Sequence, residues 1–187
     1  MCIRDRLWQG GNQSHHGTHY TVENARIYTL PEEPTPIYIG ASGPKAAALA
    51  GQLGDGLVGV GPEKEVVQIF SASGGTGKPR YGQMTVCWAE DEAAARKTAH
   101  DLWAFSSIPG EASQELPTPA HFDQVTQIVT EEMVAESVVC GPDPEKHLAQ
   151  IQKYVEAGFD HVYVHQVGPD QAGFIDFYRR EILSKFQ

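Results

Sequence analysis

Short apolar runs, most of them closed by glycine and each followed by a helical stretch, recur along the chain. Pro36 precedes Ile37-Tyr38-Ile39-Gly40-Ala41-Ser42, a β-branched run that predicts a buried strand. Ser42-Gly43-Pro44-Lys45 then opens an alanine-rich helix. Ser42 or Gly43 suits its cap and Pro44 its first position. Ala47, Ala50 and Leu53 share one face, and Gly54 or Gly56 stops the helix. Gly56-Leu57-Val58-Gly59-Val60-Gly61 predicts the next strand, and a helix from Glu63 to about Ser73 follows. Gly74 to Lys78 reads as a flexible surface loop that resembles a phosphate loop only in composition. Gln83 to Ala89 predicts a third strand. Asp91 to about Phe105 predicts a helix with Ala93, Arg96, Lys97 and His100 at helical spacings. Residues 106–121 read as loop around Pro109, Pro117 and Pro119, with short helical stretches over 121–136. Asp143 caps a further helix with Pro144 at its start, Leu148, Ile151, Tyr154 and Val155 as its apolar stripe, and Gly158 at its end. His161 to Val167 is the last strand, and a helix from about Pro169 to Phe186 gives Phe174, Phe177, Tyr178, Ile182 and Phe186 to the core.

The order is βα repeated four times, with a long excursion before the last repeat. Alternating βα units imply parallel strands. Four such units make half of a (β/α)8 TIM barrel, whose full length is about 250 residues. An open, doubly wound four-stranded sheet is the competing architecture. Ahead of these units, residues 7–36 read as an irregular insertion in which Thr21 to Asn24 and Arg26 to Tyr28 form short extended pieces. Met1 to Arg6, MCIRDR, resembles a translated sequencing adaptor, so residues 1–6 are expected to be foreign and 7–187 to be the half-barrel domain.

Composition narrows the partners. Lys plus Arg number 14 against 24 Asp plus Glu, a formal charge of -10, which disfavours nucleic acid and anionic membranes. Cys2, Cys87 and Cys140 fall at unrelated spacings, without a zinc or disulfide pattern, and read as free thiols of a reducing cytoplasm. No apolar run approaches the roughly 18 residues of a membrane span.

The segment with chemistry in it is Ile39 to Ala46, where a strand ends in small residues and a helix begins at once. Small side chains admit a ligand to the backbone, and a helix start favours an anion. Ser42, Gly43, Lys45 and Ala46 are therefore the candidate anion-binding residues, against the alternative of a merely compact βα turn. The segment is neither a Walker loop nor a G-x-G-x-x-G turn. His15, His16 and His19 cluster, but no carboxylate or thiol at ligand spacing completes a metal set. His161 and His165 share one face of the last strand. They are expected to be satisfied polar residues, with His165 near the mouth if that face lines a barrel. Asp55 reads as a turn hydrogen-bonder.

Several stretches together carry a resemblance. They are Ser14-His15-His16-Gly17, His19-Tyr20-Thr21-Val22-Glu23-Asn24-Ala25-Arg26 and Tyr28-Thr29-Leu30-Pro31. Pro36 to Ile39 running into Ala41 to Ala47, Leu49-Ala50-Gly51, Gly54 to Leu57, and Ala157 to His165 complete the set. In these the chain resembles the luciferase-like F420-dependent oxidoreductases, in the branch of F420-dependent glucose-6-phosphate dehydrogenase. The resemblance implies the C-terminal half of a luciferase-like (β/α)8 barrel with an insertion before its fifth strand. It implies coenzyme F420, with flavin mononucleotide as the alternative cofactor, a small-molecule substrate, and a homodimeric parent. The coenzyme's phosphate-bearing side chain would lie at Ser42, Gly43, Lys45 and Ala46.

Two departures matter. Val60-Gly61-Pro62-Glu63 stands where the sugar-phosphate enzymes carry a Thr-Ser-Gly-Lys pattern, and Glu136 or Ser137 stands near their arginine. Glucose 6-phosphate is therefore not the expected substrate. The family's catalytic histidine, glutamate and tryptophan belong to the first half of the barrel, outside this chain. Hydride transfer is thus expected of the parent, and this chain alone is expected to be inactive and to associate through its open sheet edges. A flavin monooxygenase fragment and a non-enzymatic, anion-binding half-barrel are the rival readings.

Overall fold

The computed structural model describes residues 3–110 and 112–186. Met1 and Cys2, part of the adaptor-like segment, lie outside the described residues. The chain divides into two compact units, one ending at Ile37 and the other beginning at Tyr38.

The first unit holds a short helix, α1 (Ile3–Leu7), and an antiparallel hairpin of β1 (Gln13–His16) and β2 (Thr21–Ala25). Asn24 adopts a left-handed φ of 51°, and its N–H donates to Ser14 Oγ at 3.1 Å. The extended piece expected at Arg26 to Tyr28 is not part of the ladder; there the Arg26 guanidinium lies over the Tyr28 ring.

The second unit is built on β3 (Tyr38–Gly40), β4 (Gly56–Gly59), β5 (Arg80–Cys87), β6 (Val139–Cys140) and β7 (His161–Gln166). Every pairing among them is parallel. β3 pairs β4, and β4 pairs the amino end of β5. Carbonyls alternate sides along a strand. Pro79 O and Cys87 O accept from Leu57 and Gly141, whereas Arg80 O and Val86 O accept from Asp160 and Val167. So β4 and the two-residue β6 share one edge of β5, and β7 occupies the other. The long strands run β3-β4-β5-β7, in chain order.

The helices α2 (Pro44–Leu53), α3 (Lys64–Phe70), α8 (Pro144–Ala157) and α9 (Gln171–Phe177) meet one face of this sheet. Ala47, Ala50, Leu57, Val67, Phe70, Met84, Val86, Ile151, Tyr154 and Phe177 form one buried cluster there. Gly82 is required by it: a Cβ at that position would run into the Tyr154 ring. The opposite face carries Tyr38, Tyr81, Gln83, Thr85, His161, Tyr163 and His165. Tyr38 and Tyr163 are 40% and 41% exposed. One covered face and sequential parallel order describe half of a (β/α)8 wall, not a doubly wound sheet. The open face is largely aromatic and polar, and exposed apolar side chains remain elsewhere in this unit, among them Leu53, Val155, Ile175 and Leu183.

Elsewhere the structure departs from the sequence-based expectations. β5 begins at Arg80, earlier than expected, because Asp160 grips that end. Its Oδ1 accepts from the Arg80 N–H at 2.8 Å, and its Oδ2 from Arg80 Nε and an Nη nitrogen at 3.0 and 2.9 Å. The Gly74 to Lys78 stretch is a structural cap and not a loose loop. A π turn over Ser71–Gly75 buries Gly75, and Lys78 Nζ donates to Gly51 O at 2.7 Å and Gly54 O at 2.9 Å, closing the carboxyl end of α2. The last helix is segmented by a π turn at Tyr178–Ile182, which keeps Tyr178 and Ile182 buried. Phe186 lies past it at 60% exposure. Val155 rotates off the buried stripe of α8 to 49% exposure, and His147 takes a core place instead.

The excursion between β5 and α8 forms α4 (Glu92–Trp103), α5 (Ala112–Glu115), α6 (Pro119–Thr126) and α7 (Glu131–Ala135) before β6. It leaves from Cys87 and returns opposite it, since Cys140 is the registered partner of Cys87. Both ends therefore stand at the carboxyl end of β5. A second buried cluster ties it down there: Cys87 and Cys140 with Ala95, Ala99, Ala104, Val129, Val134 and Val138.

Candidate functional site

In parallel barrels the carboxyl ends of the strands carry the chemistry. Three groups of residues stand at that end here: the turn after β3, the turn after β4, and the end of β7 beneath the excursion.

The turn after β3 is Ala41 to Pro44. Ala41 is still held by the sheet, its N–H donating to Val58 O at 3.0 Å. Gly43 is the N-cap of α2, with an extended backbone (φ -147°, ψ 169°), and no side chain closes the cap. Ser42, one of the two expected capping residues, thus leaves its hydroxyl free of that task. The first bond of the helix is Ala47 N–H to Gly43 O, at 3.0 Å, so the Lys45 and Ala46 N–H groups lie ahead of the internal ladder. The first turn of α2 contains no acidic residue. Ser42 and Lys45 are exposed, Gly43 and Ala46 partly so. A Cβ on Gly43 would meet nothing within 4 Å, and its φ is open to any residue. Neither packing nor backbone strain within the chain accounts for the glycine. The four expected anion-site residues are therefore brought together on one helix start with free donors and open approach.

Beside it, the turns after β3 and β4 enclose a cavity of about 190 Å³, with Ala41 and Ser42 on one wall and Gly59 to Gly61 and Glu63 on the other. The Glu63 carboxylate puts negative charge in this cavity. It suits hydroxyl or amine groups and opposes a second phosphate.

At the end of β7, Gln166 clasps the end of β5: its Oε1 accepts from Trp88 N–H at 2.8 Å and its Nε2 donates to Trp88 O at 3.0 Å. His165 precedes it, beside Thr85, with the Trp103 ring edge-on at 5.0 Å. Its Nδ1 is buried without a hydrogen-bond partner among the described residues, which overturns the expectation of a satisfied polar residue. His161 does meet that expectation. Its Nδ1 lies 2.7 Å from Asp160 Oδ1, and its ring stacks on Tyr81 at 4.4 Å.

The most deeply buried titratable groups are part of the core. His147 is fully buried, with Nε2 3.0 Å from Gly141 O and Nδ1 2.8 Å from Tyr178 Oη. A carbonyl only accepts, so Nε2 carries the proton and Tyr178 donates to Nδ1. Burial pushes the His147 pKa down and the Tyr178 pKa up. Burial likewise pushes the thiols of Cys87 and Cys140 up to about 11, so neither supplies a thiolate nucleophile. His147 was missed in sequence because its spacing hides it inside an apolar stripe. Lys78 was misjudged because its acceptors lie 24 and 27 residues away. Among the described residues no group of three or more His, Cys, Asp or Glu side chains is placed to hold a metal ion, and no helix is long and apolar enough to cross a membrane.

Sequential parallel strands with helices on one face, and an uncapped helix start at the carboxyl end of β3, define one half of a (β/α)8 barrel. The chain belongs to the luciferase-like monooxygenase family, whose sequence profile it matches over residues 3–161. It is 31% identical to the F420-dependent glucose-6-phosphate dehydrogenases of Microbacterium testaceum (strain StLB037) and Beutenbergia cavernae, over 100% of this chain and 59% of each relative. The chain thus spans about 59% of the length of these curated relatives. Among solved structures it is similar in fold to an F420-dependent secondary alcohol dehydrogenase bound to an F420-acetone adduct (TM-score 0.79, 22% identity, 97% of this chain and 58% of that one). It is also similar to the coenzyme F420 dependent tetrahydromethanopterin reductase of Methanopyrus kandleri (TM-score 0.69, 18% identity, 99% of this chain and 63% of that one).

Proposed function

We propose that this chain is the cofactor-side half of an F420-dependent oxidoreductase, in which Ser42, Gly43, Lys45 and Ala46 hold the phosphate of the coenzyme's side chain. The observation that carries the reading is the open start of α2: unbonded N–H groups at Lys45 and Ala46, an exposed lysine, and a Gly43 whose missing Cβ nothing in the chain explains. A phosphate fits there on chemistry alone, because a helix N-terminus and its dipole favour an anion. Its relatives' named dependence on F420 supplies the identity of that anion's carrier.

When bound, the deazaflavin accepts or gives a hydride at its C5; the chain's own residues bind and orient it. Oxidation of an alcohol sends the carbinol hydrogen with its electron pair to the coenzyme and the hydroxyl proton to a base, leaving a carbonyl. None of the groups described at the carboxyl end is assigned as that base. The substrate is proposed to be an organic CH–OH or carbonyl compound and not glucose 6-phosphate, because Glu63 occupies the cavity next to the anion turn.

The test is a fluorescence titration of the natural protein that contains this chain, at its full length, with F420 and in parallel with flavin mononucleotide. Saturable F420 binding that inorganic phosphate weakens is the expected result. Tight binding of flavin mononucleotide with none of F420 overturns the reading.

A further inference from the structure

We propose that Glu63 is a specificity-determining residue that binds an ammonium group of the substrate, which makes the substrate class the amino alcohols. This deepens the oxidoreductase reading above and rests on it.

The placement of the carboxylate carries the argument. Glu63 is the N-cap residue of α3, yet its side chain makes no capping bond. It lies back over Gly61 instead, where a Cβ on the glycine would stand 3.3 Å from Glu63 Oε1. The carboxylate thereby joins the wall of the 190 Å³ cavity between the turns after β3 and β4. That cavity stands at the carboxyl ends of both strands, the end where barrel sites lie. Glu63 is exposed, so a ligand reaches it from solvent. No hydrogen bond or salt bridge holds its carboxylate among the described residues. Other carboxylates at junctions between elements are taken: Asp160 by Arg80 at 2.9 Å and Glu92 by Lys146 at 2.8 Å.

The rest of the lining selects the partner. Every other lining residue, Ser42, Val60 and Val66 among them, is uncharged, so Glu63 sets the sign of the cavity. A cleft lined by one sign of charge concentrates the opposite one. Val60 is 69% exposed and offers hydrocarbon to a carbon chain beside the charge. The volume lies below the roughly 300 Å³ of a complete small-molecule site, so the cavity takes one end of a substrate. Ser42 belongs both to this cavity and to the start of α2. A phosphate at that start and the Glu63 carboxylate are like charges on adjoining sites. An ammonium group between them relieves the repulsion, and its three donors have a free carboxylate to meet.

The test uses the full-length natural protein loaded with F420. The probes are 1-amino-2-propanol and 2-butanol, which differ by an ammonium group in place of a methyl. Their affinities at pH 7 are read by ligand-observed NMR, so the assay needs no turnover. The wild type is expected to prefer the amine by about fivefold, the upper end for an ion pair open to water. Glu63→Gln, which keeps the shape and removes the charge, is expected to abolish the preference without moving the urea midpoint, because Glu63 caps nothing. Glu63→Lys is expected to shift the preference to the anion 3-hydroxybutyrate. If the wild type fails to bind F420, the cofactor reading falls, and this proposal with it. If F420 binds and the wild type shows no preference for the amine, or binds neither probe, the proposal alone is overturned. A preference that survives in Glu63→Gln also overturns it, since another group then holds the ammonium.

Discussion

Two lysines at opposite ends of α2 separate binding from stability, and reversing their charges should have opposite consequences. Lys45 lies in the first turn, exposed, where no acidic side chain balances the positive end of the helix. Lys45→Glu places a carboxylate at that end, which favours the fold by about 0.3–1 kcal/mol. On the proposed reading the same change removes a charge-assisted contact to the coenzyme's phosphate and adds repulsion, so F420 affinity should fall by about 10- to 100-fold. Lys78 sits at the other end, its ammonium donating to Gly51 O and Gly54 O at 2.7 and 2.9 Å. Charge-assisted bonds are worth about 1.5–3 kcal/mol each, and Lys78 is half-buried, so its loss should cost about 2–4 kcal/mol in total. Lys78→Glu also sets a carboxylate against carbonyl oxygens and should cost more than Lys78→Met. Urea unfolding reads the stability and fluorescence titration the affinity, both on the full-length natural protein. The reasoning is refuted if Lys45→Glu destabilises the fold as Lys78→Glu does, or if both variants lose F420 affinity equally while remaining folded.

Further predictions follow from neighbouring features. Gly43→Ala should leave stability within about 1 kcal/mol, since its Cβ meets open space, yet weaken F420 binding by about tenfold by crowding the phosphate; unchanged affinity would remove the ligand from that position. His147 has a pKa depressed below its ordinary 6.5, chiefly by burial, so its contribution to stability is present above pH 6.5 and is lost as pH falls through its folded value. His147→Leu should start about 2–4 kcal/mol less stable, with Tyr178 and Gly141 left unpaired, and should show a flatter urea midpoint as pH falls below 6.5. The Asp160 carboxyl is pushed up by burial but held below its ordinary 3.8 by the Arg80 N–H, His161 and the Arg80 guanidinium. Its contribution is therefore present above about pH 4 and lost as pH falls below that, and the gap in urea midpoint between wild type and Asp160→Asn should close over the same range.

The four βα units were legible because three of the four strands are short apolar runs ended by glycine and several helices announce themselves by a proline or an aspartate at the start. Pro44 after Gly43, Pro144 after Asp143 and Gly158 at the end of α8 fall where the sequence places them. The start of β5 was hidden, because Arg80-Tyr81-Gly82 has no apolar alternation and owes its strand conformation to Asp160, which lies 80 residues away. β6 was hidden for a related reason: two residues carry no period, and only the registered pairing with Val86 and Cys87 makes them a strand. For the site, the small residues and the helix start at Ser42 to Ala46 were visible as local chemistry. The state of His165 was not. Strand alternation puts it on the same face as His161, but whether a ring finds a partner depends on residues such as Trp103 that only the fold brings near.

The excursion over α4 to α7 has both feet on one strand. It departs after Cys87, returns at Cys140 directly opposite, and is closed by Gly141 N–H to Cys87 O at 3.0 Å. Its ends therefore span a single strand spacing, about 4.8 Å, whatever lies between them. Lengthening such a segment costs little, about 0.6 kcal/mol of closure entropy for each doubling. The register between β4, β5 and β7 is set by their own ladders. The segment can therefore change in length without moving either foot, so long as the packing of Ala95, Ala99 and Val134 around Cys87 and of Trp103 on His165 is kept.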